Sequence, residues 1–505
     1  MISLDVFDTA IFRDVYKPID IFQLVEEEVG GDFARLRKEA ENKVSAKQRF
    51  YGIADIYRHL IGFDPQVEID MEFNHIYPNM EILEMYNRNP KNYVFISDMY
   101  LSSKTIKQML EKCGYKNPRV FVSCEEKCNK GSGVLFEKVQ KRIGKLEYHY
   151  GDNYKSDIEG CLKQDIKPVF KAALHKQPLN LPAVKNPLLK KYAAALEVSN
   201  ERPLTKLTKW FAPLIYDFTK WVVQNRKPGQ HIYFLSRDMF MPYIIASQFM
   251  KTPDVHYLYC SRRSLAPLFL ASKEKPLLDK MKIVLTPEEL KQKTDTKECI
   301  NYLRMSGIRD DDILVDIGYS GSTQCIIEKF LNIKLQGMYM QLDQVNKGLG
   351  EMNMSMYLNR FALMYRFLAE FVLTSPEDCV EDYSNGYVVM QEDNAQRKEY
   401  AKEINKIILD ERLYSHIDRM NLSVFDVEQM LIHIQMNPSD EMLKLLNEPI
   451  LTNRTKQERC INFDKRAILN GKLIECYKHS YARPLFKRMC ANDPDTASLI
   501  ALLPE

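Results

Sequence analysis

An apolar run that stops at an acid is the feature that most constrains what this chain can fold into. Met1-Ile2-Ser3-Leu4 runs into Asp5-Val6-Phe7-Asp8-Thr9, a short strand with carboxylates at its end. In a parallel α/β sheet the carboxyl end of a buried strand is where ligands bind, and an aspartate placed there can hold a metal or attack phosphorus. The pattern returns along the chain. Tyr93-Val94-Phe95-Ile96 ends in Ser97-Asp98-Met99-Tyr100, and a strand over Arg119 to Val122 leads to Asn129-Lys130-Gly131-Ser132-Gly133 and a helix. Tyr148-His149-Tyr150 enters Gly151-Asp152, with Asp157 five residues further on. Strands alternating with helices in this way predict a parallel sheet with crossovers. Between the first two strands, Ile19, Phe22, Leu24 and Val25, then Ile53, Ile56, Tyr57 and Leu60, recur at helical spacing, which predicts a helical insert over about 16–88.

Composition removes several alternatives. The chain has 505 residues, 45% hydrophobic and 28% charged, enough for two or three domains with real cores. Lys and Arg total 71 against 68 Asp and Glu, so the formal charge of +3 gives no reason to expect a nucleic-acid partner. The eleven cysteines form no close CxxC pair, and Cys124 and Cys128 lack histidines at zinc-ligand spacing. An odd cysteine count without a signal peptide fits a reducing cytoplasm. No uncharged apolar run approaches the roughly 18 residues of a membrane span, so any membrane contact is expected to be peripheral, at the inner face.

The first strand ends also fit together chemically. A serine hydroxyl suits a phosphate oxygen, Lys130 can neutralise phosphate charge, and two aspartates five apart suit a hard divalent cation with oxygen ligands. As an ordered set, Asp5, the helical insert, Ser97, Lys130 and Gly151-Asp152 with Asp157 resemble the haloacid dehalogenase superfamily, most of whose members are magnesium-dependent phosphatases. The resemblance covers about residues 1–172 and implies a Rossmann-like parallel sheet with a helical cap. It implies that Asp5 is the nucleophile and that Ser97 and Lys130 bind the transferring phosphoryl group. It also implies that magnesium is held by Asp5, the Phe7 backbone carbonyl and Asp152, with Asp157 in support. Family phosphatases carry an acid/base aspartate two residues after the nucleophile. That position is Phe7 here, and Asp8 lies one residue beyond it.

A proline-rich stretch with Pro178, Pro182 and Pro187 predicts an extended connector over 173–203. A second α/β domain is expected over 204–395, opened by a helix from about Lys206 to Val223 with Trp210, Phe211, Leu214 and Phe218 on one core-facing side. His231 to Leu235 is a strand ending at Ser236-Arg237-Asp238, and Val255 to Tyr259 runs into Cys260-Ser261-Arg262-Arg263. Arginines at strand ends suit bidentate phosphate contact, or they are surface or interdomain salt-bridge residues. Ile313-Leu314-Val315-Asp316 leads into Ile317-Gly318-Tyr319-Ser320-Gly321-Ser322-Thr323 and a helix, a phosphate cradle without the lysine of a P-loop. This stretch resembles the phosphoribosyl-pyrophosphate loop of type I phosphoribosyltransferases, although the usual second acid is Ile317. The resemblance implies that Asp316 takes the ribose hydroxyls and that Ser320, Gly321, Ser322 and Thr323 take the 5-phosphate. Arg237, Asp238, Arg262 and Arg263 would lie on the pyrophosphate side. From about 396 to 505 the pattern is helical, and no catalytic cluster appears in it.

The whole chain also looks like the large haloacid-dehalogenase-type proteins encoded among bacterial capsule and O-antigen glycosyltransferases. That resemblance implies a bifunctional enzyme of polysaccharide biosynthesis. One half would move 5-phosphoribosyl from phosphoribosyl pyrophosphate to a glycan, which can be lipid-linked, and the other would remove the 5-phosphate to leave ribofuranose. Two other readings stay open: a single-activity sugar-phosphate phosphatase with a non-catalytic second domain, or a non-catalytic protein that docks a glycosyltransferase.

Overall fold

The computed structural model describes residues 1–284, 286, 295–342, 352–359, 362–448, 450–453, 456–458, 460–480 and 482–504. Contacts divide the chain into two compact units, Met1–Leu181 with Pro187–Val198, and Pro182–Asn186 with Ser199–Glu505. Each is built on a five-stranded parallel sheet. Among the described residues no helix is long and apolar enough to cross a membrane. All eleven cysteines are free.

In the first unit the strands are β1 (Ile2–Leu4), β2 (Ile11–Arg13), β3 (Ile76–Pro78), β4 (Tyr93–Ser97), β5 (Val120–Val122), β6 (Tyr148–Gly151) and β7 (Lys167–Phe170). The sheet runs β5-β4-β1-β6-β7. The chain therefore builds outward from β1 on one side through β4 and β5, then crosses to the other side for β6 and β7. Ile2 registers with Tyr93 on one flank and with Tyr148 on the other. Such a reversal opens a crevice at the strands' carboxyl ends, where Asp5, Ser97 and Asp152 emerge. β4 is buried along its whole length, as a central parallel strand covered on both faces must be.

The helical insert hangs on a stem. β2 and β3 pair antiparallel, Ile11 opposite Pro78 and Arg13 opposite Ile76, and the helices Ile21–Val29, Phe33–Ser45, Ile53–Tyr57 and Pro65–Asn74 lie between them. Its interior is polar as well as apolar: fully buried Arg37 grips Glu68 through Nε (2.5 Å) and Nη2 (3.0 Å), and Tyr57 and Tyr100 donate to the same carboxylate. The insert is shorter than the expected 16–88. Helix Met80–Arg88 follows the stem, and its Ile82 and Tyr86 pack into the sheet's own core with Tyr93, Phe95 and Tyr115.

The stretch expected as a connector over 173–203 is not extended throughout. Pro187 starts a helix, Pro187–Val198, whose Leu188, Leu189, Tyr192, Ala193 and Leu196 are buried and which belongs to the first unit. Proline at the first helical position costs no hydrogen bond, so its presence marked a helix start as well as a connector.

The second unit's sheet comprises β8 (Ile232–Leu235), β9 (Val255–Leu258), β10 (Ile313–Asp316), β11 (Gln336–Tyr339) and β12 (Asn353–Met356), in the order β12-β11-β10-β8-β9. Here the reversal lies between β8 and β10, so the loops after those two strands flank the crevice. An antiparallel hairpin, β13 (Cys379–Ser384) and β14 (Tyr387–Gln391), turns through Asn385 and Gly386, both at positive φ as a tight hairpin requires. The residues expected as a separate helical region over 396–505 are part of this unit. Helix Pro203–Gln224 is apolar on more than one side, with Leu204, Trp210, Phe211, Ile215, Phe218 and Val222 buried, and helices Ala395–Ile408 and Val424–Met436 cover it. Ile404, Ile408, Met430, Leu431 and Ile434 are the buried face of that cover.

Candidate functional site

At the end of β1 the backbone N–H of Asp5 donates to Tyr150 O on β6 (2.8 Å), which holds the Asp5 carboxylate beside the crevice. Lys130, 2% exposed, reaches in from the loop before helix Val134–Ile143. Its Nζ lies 2.6 Å from Asp5 Oδ1 and 2.5 Å from Asp157 Oδ1. Asp157 is fixed from the other side too: His149 Nε2 is 3.2 Å from Oδ1, Asn153 N donates to Oδ2 (2.8 Å), and His149 Nδ1 meets Ser3 Oγ at 2.9 Å. Two glycines make room for this arrangement. A Cβ on Gly151 would stand 2.3 Å from the Asp157 side chain, and one on Gly160 would stand 2.2 Å from the Lys130 carbonyl oxygen. Ser97, buried, ends β4 next to β1, and the neighbouring Asp98 accepts from Lys130 N (3.0 Å).

Burial, only partly offset by Lys130, holds the Asp5 carboxyl well above the usual carboxylate range. Burial opposes charge on Lys130, but Asp157 and Asp5 outweigh it and raise the ammonium's pKa. Burial would also raise Asp157, yet Lys130 and His149 overcome it and hold that group well below the usual range. Asp157 is thus an ionised, fully engaged carboxylate that positions Lys130. Asp152 is raised by burial against the opposing pull of Lys176, whose Nζ is 2.5 Å from Oδ2.

Oxygens of Asp5, Asp152 and Asp157 lie within 4.8 Å of one another. An all-oxygen, acid-rich donor set of this kind suits magnesium, and the excess of carboxylates over ammonium groups is what a divalent cation would relieve. Asp5 and Asp152 are the better placed donors, since both oxygens of Asp157 are already engaged.

The loop after Asp5 separates two neighbours. The Phe7 ring is 9% exposed, packs with Leu4, Val6 and Ile11, and carries the Arg13 guanidinium at 4.0 Å from its centroid. Arg13 in turn makes two hydrogen bonds to Glu72 of the insert (2.8 and 2.9 Å). Asp8, at φ 57°, instead meets His175, with Nδ1 3.9 Å from Oδ2. His149, His175 and Lys176 escaped the sequence reading. His149 lies inside the strand triplet Tyr148-His149-Tyr150, where no motif marks it, and the other two fall in the stretch expected as a connector.

In the second unit the loops after β8 and β10 come together. Asp238, Asp316, Arg237 and Arg262 lie close enough to shift one another's charge. Asp316 is pushed up to about 7 by burial and then by Asp238, while Ile317 N donates to its Oδ1 (2.8 Å). Arg237 is drawn to Asp393 and to the Cys379 thiol, both at 3.5 Å. Arg263 is in a salt bridge with Glu381 of the hairpin (2.7 Å), within the second unit. Gly321, at φ 66°, caps helix Ser322–Leu331, and Ser320 Oγ donates to Ser322 Oγ (3.4 Å) at that helix start, with Thr323 next in line. A third acid, Glu370 on helix Arg366–Val372, is also pushed up to about 7, by burial and then Asp238. Four residues before it, Arg366 lies 4.2 Å over the Tyr319 ring. No local motif announces Glu370 or Arg366. Their helix is brought to the crevice only by the fold.

A scan against protein-family models found no match, and a search of curated proteins found none either.

Proposed function

We propose that this chain is a bifunctional enzyme: a magnesium-dependent phosphatase built around Asp5, joined to a domain that transfers a 5-phosphoribosyl group from phosphoribosyl pyrophosphate to a glycan acceptor. The observation that carries the reading is the Lys130 ammonium bridging Asp5 (2.6 Å) and Asp157 (2.5 Å) beside Asp152, at the reversal point of a parallel sheet. A carboxylate attacks a phosphate dianion only when neighbouring cations cancel the repulsion. Lys130 supplies one such charge, and Asp5, Asp152 and the Phe7 carbonyl would hold a divalent cation that would supply the rest.

Lys130 engages Asp5 Oδ1, so Oδ2 is the attacking oxygen. It bonds to phosphorus as the bond to the leaving alkoxide breaks, and Asp8 passes its proton to that alkoxide. Water then attacks the aspartyl-phosphate at phosphorus, Asp8 takes back a proton, and Asp5 and inorganic phosphate are released. Asp8 takes this part because Phe7 is packed in the core, and general acid–base transfer of this kind contributes on the order of 10²–10⁴ in rate. Ser97 contacts the phosphoryl oxygens.

In the second unit, Asp316 takes the ribose hydroxyls and the Ser320–Thr323 turn takes the 5-phosphate. Arg237, Asp238 and Arg262 hold the pyrophosphate. The transition state is cationic at the anomeric carbon, so positioning and leaving-group binding carry the rate. Arg263 and Arg237 already face Glu381 and Asp393, which favours a second reading in which this unit only binds or orients and the chain is a phosphatase alone.

One reaction separates the readings: purified protein, magnesium, phosphoribosyl pyrophosphate and a short glycan acceptor, analysed by mass. The expected products are a pentosylated acceptor with the wild type and a phosphopentosylated acceptor with Asp5→Asn. Phosphate release from simple sugar phosphates that survives Ser322→Ala, with no acceptor ever modified, leaves the phosphatase alone standing. If no magnesium-dependent phosphate release is seen with any substrate, the enzyme reading fails.

A further inference from the structure

Helix Pro187–Val198 does more than complete the first unit's core. Lys191, on that helix, is half-buried, with Nζ 5.8 Å from the centroid of the Phe12 ring. The next residue back, Lys190, lies 5.7 Å from the ring of Tyr16. The charged groups that act on Lys191 are Asp8, Asp14 and Arg13. Each of these has a partner of its own: Asp14 with His75 (2.9 Å), Asp8 with His175 (3.9 Å), and Arg13 with Glu72 (2.8 Å). Among the described residues, no ion pair within 4 Å or hydrogen bond is formed by the Lys191 ammonium. Burial accordingly pulls its pKa down.

A half-buried ammonium with carboxylates near it but none in contact is costly to keep, and a ligand that brings an anion into contact relieves that cost. The position of Lys191 decides which ligand. Asp8 acts on both Lys191 and Asp152, so Lys191 stands near the mouth where the Asp5–Lys130 pair handles the scissile phosphate. We propose that Lys191 is an anion-reading residue of the phosphatase site, and that the substrate is a phosphomonoester carrying a second acidic group beyond the ester, held against Lys191 and the Phe12 ring. This rests on the phosphatase reading above and narrows its substrate class. Lysine acts here as a point charge, so it selects for charge and leaves the shape of the group open.

Steady-state kinetics of the full chain with magnesium tests it on two matched pairs of probes: ribose 5-phosphate against ribose 1,5-bisphosphate, and glucose 6-phosphate against 6-phosphogluconate. The wild type should favour the doubly acidic member of at least one pair by about tenfold in kcat/KM, mainly through KM, and the pair that shows it assigns the second group as phosphate or carboxylate. Lys191→Met should abolish that preference and Lys191→Arg should retain most of it, so that loss through misfolding is told apart from loss of charge. Equal rates within both pairs for the wild type, or a preference that survives Lys191→Met, overturns the proposal. Failure to release phosphate from any of the four probes is a failure of the phosphatase reading itself and removes this proposal with it.

Discussion

At the end of β1 every carboxylate has a partner already in place: Lys130 bridges Asp5 and Asp157, Lys176 holds Asp152, and His149 backs Asp157. At the ends of β8 and β10 the acids outrun their partners. Asp316 and Glu370 are each pushed up to about 7, while Arg263 and Arg237 are turned toward Glu381 and Asp393. The first arrangement is preorganised: its donors are in place before anything binds, which is how a site stabilises a small dianion of fixed shape. The second has its charges to rearrange, and a polyanionic ligand that draws the arginines off their carboxylates is what would do so.

The contrast can be broken most forcefully at Lys130. Lys130→Met leaves Asp5 and Asp157 buried without their shared cation, and losing one partner of a buried pair costs about 3–5 kcal/mol. Denaturant unfolding of the first unit should show a loss of that size. If stability is unchanged, the matched network is not what holds this site.

Asp316→Asn tests the other half, and there the effect should depend on pH. A carboxyl whose pKa in the fold, about 7, is above its unfolded value favours folding while protonated. That advantage is present at acid pH, and it is lost as pH rises toward and through 7. The amide should therefore stabilise the protein at pH 8 relative to wild type, by roughly 1–3 kcal/mol, with the difference fading below about pH 4. Thermal melts across that range would show it, and a pH-independent difference would mean that Asp316 is not strained by its surroundings.

The smallest change is expected at Arg263. Its pair with Glu381 is partly exposed, so Arg263→Ala should cost under about 1 kcal/mol. A much larger loss would place Arg263 in the structural network and take it out of the list of ligand-binding candidates.

What the sequence made legible was local. Asp5, Ser97 and Asp152 each stand at the end of a short strand, Lys130 stands in a glycine-bearing loop before a helix, and the two parallel sheets are readable because strand and helix patterns repeat. Contacts across long separations were not readable. Lys176, which meets Asp152, stands in a stretch whose following prolines suggest an open connector, Arg263 meets Glu381 over 118 residues of chain, and Glu370 sits on a helix with no motif of its own. The C-terminal helices looked like a separate region because amphipathicity reveals a buried face and says nothing of what it is buried against. The missing information was helix Pro203–Gln224, which is apolar on enough sides to need them.

The Arg13 guanidinium stacked on Phe7 ties the loop after β1 to the insert. Arg13 stands on the stem of the insert, grips Glu72 with two hydrogen bonds and rests on the Phe7 ring at 4.0 Å. An aspartate placed at position 7 would put a second carboxylate under that guanidinium and compete with Glu72 for it. An acid at position 7 would thus loosen the insert in the same step, which couples the identity of residue 7 to the anchoring of the insert through Arg13 and Glu72.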